Sequence, residues 1–320
     1  MIYADKNTGV LVQGATGSQG RFHINLMNEY AKAVGGRGVA AGVTPGKGGQ
    51  DVFGVPVYNS VSDACAKHDI GATVIFVPGS VCGDSIMEAA DAGIPTIVTI
   101  TEHIPVHDVM RAVSYAEKCG SKVIGPNCPG MMIPDECKLG IIPANLCKKG
   151  DIGVVSRSGT LTYQVISELT DAGLGQSGIV GIGGDAVIGQ TFSNVIDTFH
   201  EDGRTKAVVL IGEVGGNLEI EGAKRAQALG LPVAAYIAGI SAPKEKRMGH
   251  AGAIIEGGEG DAASKIEALR ALGVPTATRP SELPELIRSC KNCTQDKSGN
   301  KCRIHFKHCF AKYSFLRPAC

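Results

Sequence analysis

One histidine, His250, stands in the run Lys246-Arg247-Met248-Gly249-His250-Ala251-Gly252-Ala253-Ile254, among residues small enough to let the backbone bend and a large ligand come close. An imidazole titrates near neutrality, so it can take up a phosphoryl group and later release it. Taken alone, a loop histidine is more often ordinary surface. Glu213 ends a strand-like run in Ile211-Gly212-Glu213-Val214-Gly215-Gly216, where open α/β sheets build their sites. A carboxylate bonded to one imidazole nitrogen fixes the tautomer and leaves the other nitrogen free to attack. The bland alternative is a surface glutamate. Asp185, in Gly183-Gly184-Asp185, is a weaker candidate for the same surroundings.

Three further runs have the chemistry of anion sites. The first strand leads into Gly14-Ala15-Thr16-Gly17-Ser18-Gln19-Gly20, a glycine-rich turn that would set backbone N–H groups at a helix start. Glycines at 14, 17 and 20 depart from the dinucleotide fingerprint, because Thr16 takes the middle position. A short-chain reductase would add Tyr-x-x-x-Lys, and none of the seven tyrosines has lysine four residues on. The second run, Val43-Thr44-Pro45-Gly46-Lys47-Gly48-Gly49, sets Lys47 among glycines as a point charge for a phosphate, or is a flexible surface loop. The third, Val154-Val155-Ser156-Arg157-Ser158-Gly159-Thr160, puts Ser158, Gly159 and Thr160 at a helix N-terminus. There they would meet an anion or simply cap the helix.

The elements that must position these runs read as α/β with doubly wound parallel sheets. Strands are expected at Thr8–Gln13, Thr73–Val77, Thr96–Ile100, Lys122–Gly125, Ile152–Ser156, Gly178–Gly181, Ala207–Ile211 and Val233–Ala238. Helical patterns cover Asp84–Ala92, Val106–Cys119, Thr160–Ala172, Leu218–Leu229 and Asp261–Leu272. Gly125-Pro126-Asn127-Cys128-Pro129-Gly130 is a dense breaker and the natural seam. A first domain is therefore expected over 1–124 and a second over 125–288.

The 320 residues carry no net charge, but residues 289–320 hold seven Lys/Arg and one Asp, so residues 1–288 sum to −6. Five of the 11 cysteines (Cys290, Cys293, Cys302, Cys309 and Cys320) fall in that basic tail, while the other six lack paired spacing, as in reduced cytosolic proteins. With His305 and His308 the tail could bind zinc, but disorder or a non-native sequence is the better expectation. No apolar run approaches the ~20 residues of a membrane span. The start of the chain has neither a signal core nor a transit segment. A cytoplasmic protein with no membrane partner is expected. With no tryptophan, an aromatic-stacked face is not indicated, and no nucleic-acid partner is expected.

Taken together the runs resemble the α subunit of succinyl-CoA synthetase, the NDP-forming succinate–CoA ligase. They are Gln13–Gly20, Gly42–Gly49, Thr99-Ile100-Thr101-Glu102, Gly125–Gly130, Ser156–Tyr163, Gly181–Asp185, Ile211–Glu213 and Lys246–Ile255, in family order across about residues 5–288. The resemblance implies a Rossmann-like CoA-binding domain followed by a flavodoxin-like doubly wound parallel-sheet ligase domain. It places Thr16, Gly17, Ser18, Gln19, Lys47, Ile100, Thr101 and Glu102 on CoA-contact positions and His250 on the phosphorylated histidine. It places Glu213 on the carboxylate that holds that histidine, and Ser158, Gly159 and Thr160 on the phosphoryl-receiving helix start. Tyr163 falls near the substrate and the partner, and no metal ligand is implied in this chain. The implied reaction joins succinate to CoA through a phosphohistidine in the tricarboxylic acid cycle. NTP and Mg²⁺ would sit on the ATP-grasp fold of a β subunit, in an αβ or α2β2 assembly. A malate–CoA ligase α subunit is the alternative. Three features depart from the family: the long stretch after Tyr30, Ala186 where proline is usual, and the Cys-rich tail.

Overall fold

The computed structural model describes residues 2–240, 252 and 260–295. The first seven strands are β1 (Val10–Gln13), β2 (Val39–Val43), β3 (Asp51–Val52), β4 (Val55–Tyr58), β5 (Ala72–Ile75), β6 (Thr96–Thr99) and β7 (Lys122–Ile124). They form one sheet in the order β3-β4-β2-β1-β5-β6-β7, parallel except for the β3–β4 hairpin. Strands β1, β5 and β6 are buried along their whole length, as short β-branched runs covered on both faces must be. Helices α1 (Ser18–Val34), α2 (Val61–Cys65), α3 (Gly79–Asp91) and α4 (Val106–Lys118) make the crossovers. The long stretch after Tyr30 is the end of α1, which closes on Gly35 in the left-handed conformation (φ 68°).

The second sheet contains β8 (Gly130–Ile133), β9 (Cys137–Gly140), β10 (Lys149–Ser156), β11 (Gln176–Gly181), β12 (Ala207–Gly212), β13 (Val233–Ile237) and β14 (Thr276–Ala277). Its order is β14-β13-β12-β10-β11-β8-β9, parallel from β14 to β11 and antiparallel at the β8–β9 edge. Helices α5 (Gly159–Asp171), α6 (Phe192–Asp202), α7 (Leu218–Ala228), α8 (Ala262–Ala271) and α9 (Leu283–Gln295) complete this half. Thr191 and Asn194 start α6 with a reciprocal capping box. Phe199 of α6 lies where a Cβ on Gly153 would be, 2.5 Å from its ring, so this glycine lets the helix sit down on β10. Burying Phe192 and Phe199 completely contributes roughly 2–3 kcal/mol each.

The two halves share buried apolar contacts. The hairpin β8–β9 of the second sheet lies on α1 of the first, where the Tyr30 hydroxyl accepts from the Asp135 N–H at 2.7 Å. Helix α9 runs through residue 288, so the tail expected from 289 begins inside a helix. Ile287 and Cys290 are buried, and Lys291 reaches both oxygens of Asp151 at 2.7 Å. The helix reads poorly in sequence because its apolar positions are spaced among polar and cysteine residues.

Candidate active site

In each sheet the strand order reverses about a central strand, β1 in the first and β10 in the second, and a tight turn into a helix follows that strand, glycine-rich after β1 and Ser-Gly-Thr after β10. After β1, Gly14 takes φ +80° and its Cα faces the backbone of Phe76, leaving 3.1 Å for any Cβ. The start of α1 presses onto the same turn: a Cβ on Gly20 would lie 2.2 Å from the Gly14 carbonyl oxygen. Gly17 is the N-cap and has no side chain to satisfy the first-turn N–H groups, which suits an anionic ligand. Thr16 ties the turn to the second glycine-rich loop through the Thr44 hydroxyl, which its own hydroxyl meets at 3.2 Å. Lys47 projects from that loop into solvent.

A cleft of about 590 Å³ opens between the halves. Gln19, Ile100, Thr101 and Glu102 line it from the first sheet's side, and Ser158, Gly159 and Thr160 from the second. Thr16, Gly17, Ser18, Lys47, Tyr163 and Glu213 lie outside its lining. The breaker segment forms its floor with Asn127, Cys128 and Pro129, and includes a cis peptide at Gly125-Pro126. Asn127 fixes this floor to three places. Its N–H donates to the Thr101 carbonyl (2.9 Å), its carbonyl accepts from Gly184 N–H (3.2 Å), and its amide donates to the Asp185 carboxylate (2.9 Å). Asp185 is thus held, although Ala186 follows it.

Helix α5 starts at the cleft with Ser158 as N-cap, its hydroxyl accepting from the Leu161 N–H at 3.4 Å. This capping role and an anion-binding role are compatible, since a single cap leaves other first-turn donors. Tyr163, on the same helix, is half-buried, and burial pushes its phenol up to about 12, so it stays protonated. Cys128 is buried and donates to the Thr99 carbonyl; burial pushes its thiol up to about 12 as well, which makes it a poor nucleophile.

Beyond β12, Glu213 is 7 % exposed and faces Arg157, with Oε1 3.4 Å from the guanidinium Nε. Arg157 also donates to the Gly215 carbonyl at 2.9 Å. Gly252 donates to the Gly184 carbonyl at 3.0 Å, and a Cβ there would lie 2.6 Å from Arg157 Nη2. His250 itself, with the rest of 241–251 and 253–259, lies outside the described residues, as do residues 296–320 and with them Cys302, His305, His308, Cys309 and Cys320. Among the described residues no group of His, Cys, Asp and Glu could hold a metal ion, and no helix is long and apolar enough to cross a membrane.

Several functional candidates have no motif in the sequence. His23 lines the cleft one turn into α1, stacks on Phe76 with the ring centroids 5.2 Å apart, and is pulled down to about 4 by burial and by Lys138. Lys138 is 5 % exposed, donates to the Gly140 and Ile142 carbonyls at 2.9 and 2.6 Å, and is pulled down to about 8 by burial. Arg157 stands inside the quoted Ser-Arg-Ser-Gly run, yet only the fold shows that it is buried against Glu213. The packing of Glu219 against Gly212 and its ion pair with Lys265 leave no pattern in the sequence either.

Two strand–turn–helix junctions, the first glycine-rich and the second headed by Ser-Gly-Thr, meet at one cleft, and the two halves that carry them match families of a CoA-binding ligase chain. Residues 5–103 match the CoA binding domain family and residues 155–274 the CoA-ligase family. The chain is 52 % identical over 286 residues to a succinate–CoA ligase [ADP-forming] subunit alpha 2 of Archaeoglobus fulgidus, covering 89 % of this chain and 98 % of the relative. It is 52 % identical over 294 residues to a succinate–CoA ligase [ADP-forming] subunit alpha of Staphylococcus aureus, covering 91 % and 95 %. This chain belongs to the succinate–CoA ligase α-subunit family. Its relatives carry succinate in their names, so the malate alternative is not favoured. In fold it is similar to the ATP citrate lyase of Methanothrix soehngenii (TM-score 0.82, 21 % identity), spanning all of this chain and 57 % of that one. A dinucleotide-forming acetyl-coenzyme A synthetase 1 of Ca. Korarchaeum cryptofilum is similar at TM-score 0.68 and 19 % identity, over 90 % of this chain and 60 % of that one.

Proposed function

We propose that this chain, with a β subunit, interconverts succinate, CoA and a nucleoside triphosphate with succinyl-CoA, the nucleoside diphosphate and phosphate. The observation that carries the reading is the shared cleft, where Gln19 and Ile100–Glu102 from one half meet the α5 start from the other. Thr16, Gly17, Ser18, Gln19, Lys47, Ile100, Thr101 and Glu102 hold CoA, and Ser158, Gly159 and Thr160 receive the phosphoryl group. Tyr163 lies near the substrate and the partner.

A carboxylate is a poor acyl donor until its oxygen becomes part of a better leaving group. His250 takes up the phosphoryl group and passes it to a succinate oxygen, giving an acyl phosphate. The CoA sulfur then bonds to the acyl carbon, the bond from that carbon to the phosphate oxygen breaks, and the thiol proton leaves with phosphate. Glu213 orients His250. In support, Gly252, two residues beyond His250, is bonded to the Gly184 loop and leaves no room for a Cβ beside Arg157, which itself faces Glu213. NTP and Mg²⁺ are assigned to the β subunit, as the resemblance to the family implies. Residues 1–124 form the CoA unit and 125–288 the phosphohistidine unit, with 289–320 a basic extension. We place the enzyme in the cytoplasm and the tricarboxylic acid cycle, as αβ or α2β2.

The test uses the purified complex and γ-labelled ATP or GTP. Acid-labile, base-stable label on the His250 peptide, discharged by succinate with CoA, is the expected result. Discharge preferentially by malate restores the sister ligase, and absence of label with an active partner removes the phosphohistidine mechanism.

A further inference from the structure

Behind Glu213 lies a buried set of four charged side chains: Arg157 and Lys265, 3 % and 1 % exposed, with Glu213 and Glu219, 7 % and 0 % exposed. Lys265, in the first turn of α8, donates from Nζ to the Glu213 carbonyl, the Gly215 carbonyl and Glu219 Oε2, each at 2.7 Å. Three acceptors use all three protons of an ammonium, whereas a neutral amine has two, so the geometry requires the charged form. Burial pulls the Lys265 ammonium down, and the Glu219 carboxylate opposes that pull. The other oxygen of Glu219 accepts from the Glu213 N–H at 3.2 Å. The peptide groups on both sides of the Glu213 α-carbon are therefore gripped, the N–H by Glu219 and the carbonyl by Lys265. Gly212 makes the approach possible: a Cβ there would lie 2.4 Å from Glu219 Cγ.

We propose that Lys265 and Glu219 are positioning residues for phosphoryl transfer, clamping the Glu213 backbone so that its carboxylate is held in one direction. The inference rests on the reading of Glu213 given above. A buried ion pair serves stability poorly, because desolvation offsets much of its attraction, whereas a fully bonded one fixes a geometry. Arg157 joins the clamp to the turn before α5, lying 3.9 Å from Glu219 and 3.4 Å from Glu213. Removing the clamp frees two rotatable bonds at Glu213 without touching CoA-binding residues.

The test compares wild type, Glu213→Gln, the neutral pair Glu219→Gln/Lys265→Gln and Lys265→Arg, each in complex with the β subunit. The expected result for the neutral pair is a fall of at least about ten-fold in the rate of His250 phosphorylation, with KM for CoA within two-fold of wild type. The acid limb of its pH–rate profile moves to lower pH, as in Glu213→Gln, because an imidazole that loses its carboxylate titrates lower. A merely structural pair would not move that limb. Lys265→Arg, which keeps the charge, recovers part of the rate. A neutral pair with wild-type rate and limb overturns the clamp if Glu213→Gln is slow; if Glu213→Gln is itself unchanged, the reading of Glu213 fails instead. Should the neutral pair fail to fold, Lys265→Met alone decides by the same rate and limb, since it removes the donor that holds the Glu213 carbonyl and leaves Arg157 beside Glu219. An unmoved limb there overturns the clamp.

Discussion

Alanine at position 20 reverses an ordinary expectation. Gly20 is the third residue of α1, and replacing a helical glycine by alanine is normally stabilising by about 0.8–1.0 kcal/mol. Here the new Cβ would lie 2.2 Å from the Gly14 oxygen, 2.9 Å from its carbonyl carbon and 3.1 Å from the Ala15 Cα, where real Cβ atoms keep 3.0 Å or more. The shortfall of about 0.8 Å at the first contact is against backbone, not a flexible side chain, so the helix start must lift or the turn must open. Overpacking on this scale costs about 1–3 kcal/mol, which outweighs the helix gain. The displaced atoms are those proposed to receive CoA, so affinity should fall about ten-fold or more, equivalent to about 1.4 kcal/mol. Gly159→Ala is the control for stability, because its Cβ would meet only the Pro129 ring at 3.8 Å. Denaturant unfolding and calorimetric titration with CoA would be measured for both. If Gly20→Ala is as stable as wild type and binds CoA equally well, the turn does not hold the ligand in the manner described.

Lowering pH should destabilise the fold through His23. Its folded pKa of about 4 lies below the unfolded value of 6.5, so the unfolded chain binds the extra proton between those values and stability falls as pH drops from about 6.5 to 4. The full loss is up to about 3 kcal/mol, read as a slope of unfolding free energy against pH that flattens in His23→Phe. Arg157→Met leaves the Glu213 and Glu219 carboxylates without their shared guanidinium and should cost about 3–5 kcal/mol, measured by the thermal midpoint; a change under 1 kcal/mol would discount the buried pairing. Ending the chain after Ser289 removes the buried Cys290 and the Lys291–Asp151 pair, and should cost about 2 kcal/mol by denaturant unfolding. An unchanged midpoint would mean that the last two turns of α9 contribute nothing.

The turns that carry the site were legible because each needs a residue type that leaves a mark. Gly14 must reach φ +80°, Gly20 must clear a carbonyl, and Ser158 must cap a helix. The central strands were legible for a related reason: strands buried on both faces are continuous β-branched runs, and the expected ends at Gln13, Ser156 and Gly181 coincide with those of β1, β10 and β11. The β8–β9 hairpin escaped because Met131, Met132, Cys137 and Lys138 carry no strand alternation, and its buried lysine argues against a strand by composition. Helix α6 escaped although Thr191-x-x-Asn194 is a capping signal, since Asn stands where Glu or Gln is usual.

The partners of the site residues were illegible for a deeper reason. Lys265, in Ala262-Ala263-Ser264-Lys265, reads as a solvent-facing helical lysine, since an isolated lysine is almost never fully buried. What draws it in is 46 residues away: a carboxylate at Glu219 with no exposure, seated against Gly212. Neither residue announces the other, because a salt bridge imposes no spacing along the chain. The one trace left in the sequence is the glycine before Glu213, needed for space and not for a turn, since its φ is not among the positive values. A side chain at 212 would expel Glu219, strip Lys265 of the carboxylate that it meets at 2.7 Å, and release the Glu213 N–H. Gly212→Ala should therefore reproduce the Lys265/Glu219 phenotype from the opposite side of the clamp, slowing His250 phosphorylation about ten-fold while CoA still binds. If Gly212→Ala loses CoA affinity and phosphorylation in equal measure, the crowding spreads through the fold and Gly212 is a packing residue only.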